Sequence, residues 1–220
     1  VEVEALRPSR AHHPRRRALL DVPVGPRGLL LGVALLLFAA HSLLLGDWLV
    51  DDAGISFSYA RNLAEGHGLV SQPGLAPVEG YSNPLWMLLL APFFLTGTFS
   101  TPWTVKLLSV VLVAAAFWLV TRGTPGSGAA AWLRASPPIL LALNTSFVVW
   151  TTSGLENPLL VFLAALSATF ALRAAGGENG RLDLAAGLVA GLLALTRPDA
   201  IVYAAAYPLL ERAIAIREKT

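Results

Sequence analysis

Three aspartates, Asp47, Asp51 and Asp52, stand in DWLVDDAGISFSYAR directly after a stretch that carries no charge. Carboxylates resist leaving water, so a pair beside an apolar segment is solvated, caps a helix, or does chemistry. Further along, polar groups of complementary type recur at the ends of apolar runs: Arg61, then Glu79 and Tyr81, then Glu156 in TTSGLENP, then Arg197 and Asp199 in LTRPDA. A carboxylate can take a proton from a hydroxyl or stabilise developing positive charge, and a fixed guanidinium suits a phosphate. Carboxylates on one face can also bind Mg2+ or Mn2+ through oxygen, although no D-x-D spacing strengthens that expectation.

The composition says what kind of element must position these groups. Of 220 residues, 55% are hydrophobic and 14% charged, and the mean hydropathy is +0.62. A soluble domain carries roughly a quarter charged residues, so this reads as a membrane protein. Six arginines (Arg7, Arg10, Arg15, Arg16, Arg17 and Arg27) precede the first apolar run. With no aromatics between them they suit anionic lipid headgroups, not nucleic acid. Cysteine is absent, which excludes a disulfide framework and a thiolate metal site and leaves the redox compartment open. Residues 1–27 therefore read as a basic cytoplasmic tail and 28–220 as one transmembrane domain without internal repeats.

The run 28–46 approaches the roughly 20 apolar residues needed to cross a bilayer, and no small-x-small cleavage site follows it, so it reads as a retained anchor. His41 within it is expected to be interfacial. Residues 53–65 place Ile55, Tyr59 and Leu63 on one stripe, which predicts a short amphipathic helix on the membrane. The run 84–97 is short and contains Pro92, so an interfacial or re-entrant helix is expected. Runs at 103–121, 129–150, 158–172, 182–196 and 200–212 follow. If 84–97 does not cross, Arg122, Arg173, Arg181, Arg212, Arg217 and Lys219 all fall on the arginine-rich side, as the positive-inside rule requires. Arg134, one turn inside its run, then snorkels back to that side. The expectation is an all-α membrane protein of about six transmembrane helices, with a long first outer loop containing interfacial helices.

That topology, set by arginines alone, brings Asp51, Asp52, Arg61, Glu79, Glu156, Arg197 and Asp199 to one outer face. Plainer roles exist for each. Asp51 or Asp52 could cap the helix at 53–65, Glu156 could decorate a first helical turn, and Arg197 and Asp199 could close a turn as an ion pair.

The ordered segments DDAGISFSYARNLAEGHGLV, VEGYSNPLW, TSGLENPLL and GLLALTRPDA resemble the N-terminal half of the GT-C integral-membrane glycosyltransferases. The nearest match is to the AftB-type terminal arabinofuranosyltransferases, and the resemblance spans about residues 28–212. It implies a GT-C-like fold with interfacial helices in the first outer loop and an acidic residue there at the active site, matched by Asp51 and Asp52. Members are longer, so the resemblance implies that this chain corresponds to their N-terminal part. The implied activity moves a sugar from a polyprenyl-phosphate donor to a glycan or lipid acceptor of the cell envelope. The place is the outer face of a bacterial inner membrane. Asp51 or Asp52 would serve as base, and Arg61 or Arg197 would face the lipid phosphate. Glu79, Tyr81, Glu156 and Asp199 would bind substrate, and Mg2+ or Mn2+ is a possible cofactor. Two other classes fit parts of the sequence: a transporter using LTRPDA as a helix break, and a non-catalytic membrane subunit.

Overall fold

The computed structural model describes residues 26–123, 136–174, 180–205, 209 and 213. Within them the chain is helical, with no strand. The helices are α1 (Pro26–Leu44), α2 (Ala53–Ala64), α3 (Pro84–Leu95), α4 (Trp103–Gly123), α5 (Pro137–Leu143), α6 (Thr145–Thr152), α7 (Asn157–Ala174) and α8 (Gly180–Thr196). A 3-10 turn, Pro198–Ala200, follows, and residues 201–205 are helical again. The all-α expectation holds. Residues 1–25 of the basic tail, Arg134, residues 206–208 and 210–212 of the last run, and Arg217 and Lys219 lie outside the described residues.

Prolines mark several of the helix starts. Pro84, Pro137 and Pro198 sit in first turns, where the missing N–H has no helical partner in any case. Pro92 does not break α3, which runs on to Leu95. The run 129–150 is not one helix over its described part. Asn144 leaves the helical region (φ −77°, ψ 108°) and its side chain accepts a 2.9 Å hydrogen bond from the Phe147 N–H, ending α5 and capping α6. A second break at residues 153–156 turns α7 by 110° from α6.

The apolar stripe expected on α2 is not uniform in burial. Tyr59 is buried, but Ile55 is exposed, and the buried set is Ala53, Ser56, Tyr59, Ala60 and Asn62. Small side chains on this face let the helix approach its neighbours closely. The two polar ones find partners, Ser56 at Asn83 and Asn62 donating 2.8 Å to the Val70 carbonyl.

α4 packs along α7 and α7 along α8, while α1 lies against α5 and α4, and α2 against α3. One apolar cluster joins Tyr59, Trp86, Leu90, Val105, Leu163 and Leu193 under the site. Another joins Phe38, Phe117 and Val148 at the α1–α4 crossing. Of the described helices, Trp103–Arg122 is long and apolar enough to cross a membrane, with 20 residues and a mean hydropathy of 2.1. The bent α6–α7 pair passes the same test taken together, and Gly28–Leu44 and α3 are apolar but shorter.

Candidate active site

The connections gather at one end of the helices. The Val50 N–H donates 3.0 Å to the Ser153 carbonyl, tying the segment after α1 to the α6–α7 turn. Lys106, in the first turn of α4, donates from Nζ to the Gly46 carbonyl just past α1. Trp86 Nε1 donates 3.0 Å to the Gly154 carbonyl, bringing α3 onto the same turn. Gly154 makes this docking possible. Its φ is +93°, and a Cβ there would stand 2.8 Å from the Ala53 Cβ. The start of α3 and the start of α4 thus both reach this end.

Here a cleft of about 350 Å3 opens, lined by Asp52, Ser56, Tyr81, Asn83, Glu156 and Arg197 together with Ile55, Gly80, Ser82 and Leu155. Of the residues singled out in the sequence, Asp52, Tyr81, Glu156 and Arg197 thus meet. Asp52 occupies the cap position of α2, yet its side chain makes no capping hydrogen bond. Its carboxylate is exposed to the cleft. Asp51 is exposed beside it without lining the cleft, and Glu79 is exposed in the preceding loop. Arg61 is drawn elsewhere, to a shallow hollow of about 200 Å3 shared with Phe57, Phe94 and Phe99. Asp199 stands at the rim, 69% exposed, paired with Arg197.

Glu156 is the buried centre. Its Oε2 accepts 2.7 Å from Asn83 Nδ2 and its Oε1 accepts 3.1 Å from Arg197 Nη1, with its side chain 5% exposed. Arg197 also donates from Nε to Asp199 Oδ1 at 3.0 Å and from Nη1 to Asn157 Oδ1 at 3.5 Å, leaving Nη2 without a hydrogen bond among the described residues. Partial burial works against the Arg197 charge, but the hydrogen bond to Asp199 and the Glu156 charge outweigh it and hold the guanidinium above its ordinary value. Tyr81 stacks edge-on against Tyr59 at 4.9 Å, and the Tyr59 hydroxyl donates 2.8 Å to the Val78 carbonyl, fixing the loop that forms the cleft wall. Gly80 is required there, since a Cβ would stand 2.7 Å from the Tyr59 hydroxyl.

Ser56 and Asn83 are site residues that the sequence reading passed over. Asn83 precedes the first-turn Pro84 as Asn157 precedes Pro158, and the repeated Asn-Pro-Leu at two helix starts was the available signal. Among the described residues no group of three or more His, Cys, Asp or Glu side chains is placed to hold a metal ion. No family model, no curated protein and no solved structure matches the chain.

Proposed function

We propose that the cleft is the active site of a membrane glycosyltransferase. It moves a sugar from a polyprenyl-phosphate donor to a cell-envelope glycan or lipid acceptor on the outer face of a bacterial inner membrane. The observation that carries this reading is the convergence of Asp52, Tyr81, Glu156 and Arg197, from four separate segments of the sequence, on one polar cleft. The membrane setting is supported by large apolar side chains standing exposed along the helices, among them Leu36 at 73%, Leu107 at 67% and Leu184 at 67%. If α3 does not traverse the bundle, the arginine distribution is satisfied by six crossings with the cleft end outward.

In this reading the donor keeps its prenyl tail in lipid and presents its sugar at the cleft. The acceptor hydroxyl attacks the anomeric carbon and passes its proton to the Asp52 carboxylate. The anomeric carbon–oxygen bond breaks, and its electron pair leaves with the polyprenyl phosphate. The growing charge on that phosphate is met by Arg197, whose Nη2 hydrogens remain to bind it. Tyr81 offers a hydroxyl to the sugar. Glu156, with both oxygens already taken, holds Arg197 in place.

The test is Asp52→Asn in the native polypeptide, assayed for transfer in its host membrane and for melting after detergent extraction. Loss of a general base costs on the order of a hundred- to ten-thousandfold in rate. The melting temperature should stay near wild type, because the side chain makes no capping bond to lose. Asp51→Asn, beside but outside the cleft, should retain most activity. Full transfer by Asp52→Asn would remove the base from the scheme.

A further inference from the structure

Asn83 occupies the cap position of α3, where an asparagine side chain ordinarily accepts a backbone N–H from the helix's own first turn. It makes no such bond. With its backbone at φ −128° and ψ 56°, it turns its side chain inward and is 5% exposed. The amide nitrogen has two hydrogens, and both are used: one on Glu156 Oε2 at 2.7 Å, the other on Ser56 Oγ at 2.9 Å. Ser56 is itself buried, at 3% exposed. A cap residue that forgoes its own helix to bind a carboxylate across the site has another task.

We propose that Asn83 is a positioning residue. Its amide, oriented by Ser56, holds Glu156 as an ionised acceptor, and Glu156 in turn aims the Arg197 guanidinium into the cleft. The role of Arg197 toward a phosphate rests on the glycosyl-transfer reading, whereas the hold of Asn83 on Glu156 does not. The order of groups, Ser56 to Asn83 to Glu156 to Arg197, alternates donor and acceptor without a break. Glu156 receives donors on both sides, so only a carboxylate satisfies both neighbours. A neutral amide at position 156 would present its own N–H groups to either Asn83 or Arg197.

The experiment uses three variants of the full protein: Asn83→Asp, Glu156→Gln, and the two combined. Asn83→Asp sets a second carboxyl within hydrogen-bond distance of Glu156, and two carboxylates so close cannot both ionise. The folded pKa of that pair is raised above the unfolded value of about 3.9. Its stability is therefore full below that value and is lost as pH rises through the raised folded pKa. The melting temperature of Asn83→Asp should accordingly fall as pH rises above about 4, more steeply than that of the wild type. Combining it with Glu156→Gln restores one carboxylate and one amide, and the extra slope should disappear.

Transfer separates positioning from simple bracing. Misplacing a catalytic group by about 1 Å can cost about a hundredfold. In the combined variant kcat should stay about a hundredfold down with KM little changed, because the carboxylate now sits at position 83 and Arg197 has lost its anchor. Recovery of kcat together with stability would overturn the proposal and leave Asn83 a structural brace. Absence of the pH slope in Asn83→Asp would overturn it at the Glu156 contact. A wild type that transfers no sugar would strike the glycosyl-transfer reading alone, and the pH slope would still decide whether Asn83 governs Glu156.

Discussion

Glu156 has two oxygens and each faces a donor, one neutral and one charged. That arrangement makes its chemistry narrower than its type suggests. Both oxygens are engaged, so in the proposed scheme Glu156 positions Arg197, and Tyr81 offers its hydroxyl to the sugar. Glu156→Gln tests this. The change keeps the shape, yet whichever way the amide turns, its N–H groups meet the N–H of Asn83 or of Arg197. A buried group left unsatisfied costs about 1–3 kcal/mol, and that loss should appear in detergent-extracted melts. A glutamine variant as stable as wild type would show that Glu156 is not the bridging acceptor. At this scale the sequence was half legible. Asp52 and Arg197 could be picked out because charges beside apolar runs demand a reason. Ser56 and Asn83 were harder to see, because a serine inside a helix is ordinary and the repeated Asn-Pro-Leu points to a site only once a buried carboxylate is seen beside it. Arg61, on α2, and Glu79, in the loop before α3, stand outside the cleft, since a charge near a site need not face it.

Elements meet at the site through one turn, residues 153–156, which bends α6 to α7 by 110° and receives hydrogen bonds from Val50 and Trp86. Gly154→Ala should therefore act on the assembly of the site while leaving each helix intact. The positive φ costs an alanine about 1–2 kcal/mol. Its Cβ would also fall 2.8 Å from the Ala53 Cβ, an atom that cannot swing aside. Overpacking adds about 1–3 kcal/mol, so a total loss of about 2–5 kcal/mol is expected in melts. Adding Ala53→Gly should recover the steric part and not the φ strain. Equal stability in both variants would mean that α2 does not dock on this turn. Helix positions followed from the apolar runs, because burial or lipid exposure dictates apolar residues along each helix. The break at Asn144 did not, since one polar residue in a long apolar run looks like tolerance until its side chain is seen capping the next helix. The buried face of α2 was not legible for a related reason. A stripe of large apolar residues marks a helix resting on lipid or on a loose core. A helix docked against a turn and a second helix instead buries its small and hydrogen-bonding residues.

For the whole molecule, the decisive question is on which side of the membrane each connection lies. Only one described helix meets the length and hydropathy of a crossing by itself, so hydropathy alone does not fix the number of crossings. The direction of travel after α4 depends on α3. If α3 crosses, the chain at Ser127, between α4 and α5, faces the same side as Gln72, between α2 and α3. If α3 lies across the cleft end, where its first turn is tied to Gly154 and Glu156, the two positions face opposite sides. The chain has no cysteine, so single cysteines can be introduced without background. Gln72 is exposed in the structure, and Ser127 falls outside the described residues in the α4–α5 connection. In intact cells a membrane-impermeant maleimide should label Gln72→Cys and spare Ser127→Cys, while after permeabilisation both should react. Labelling of both from outside would make α3 a crossing, place Arg122 on the outer side, and detach the polar cleft from the topology on which the proposed lipid-linked substrate rests.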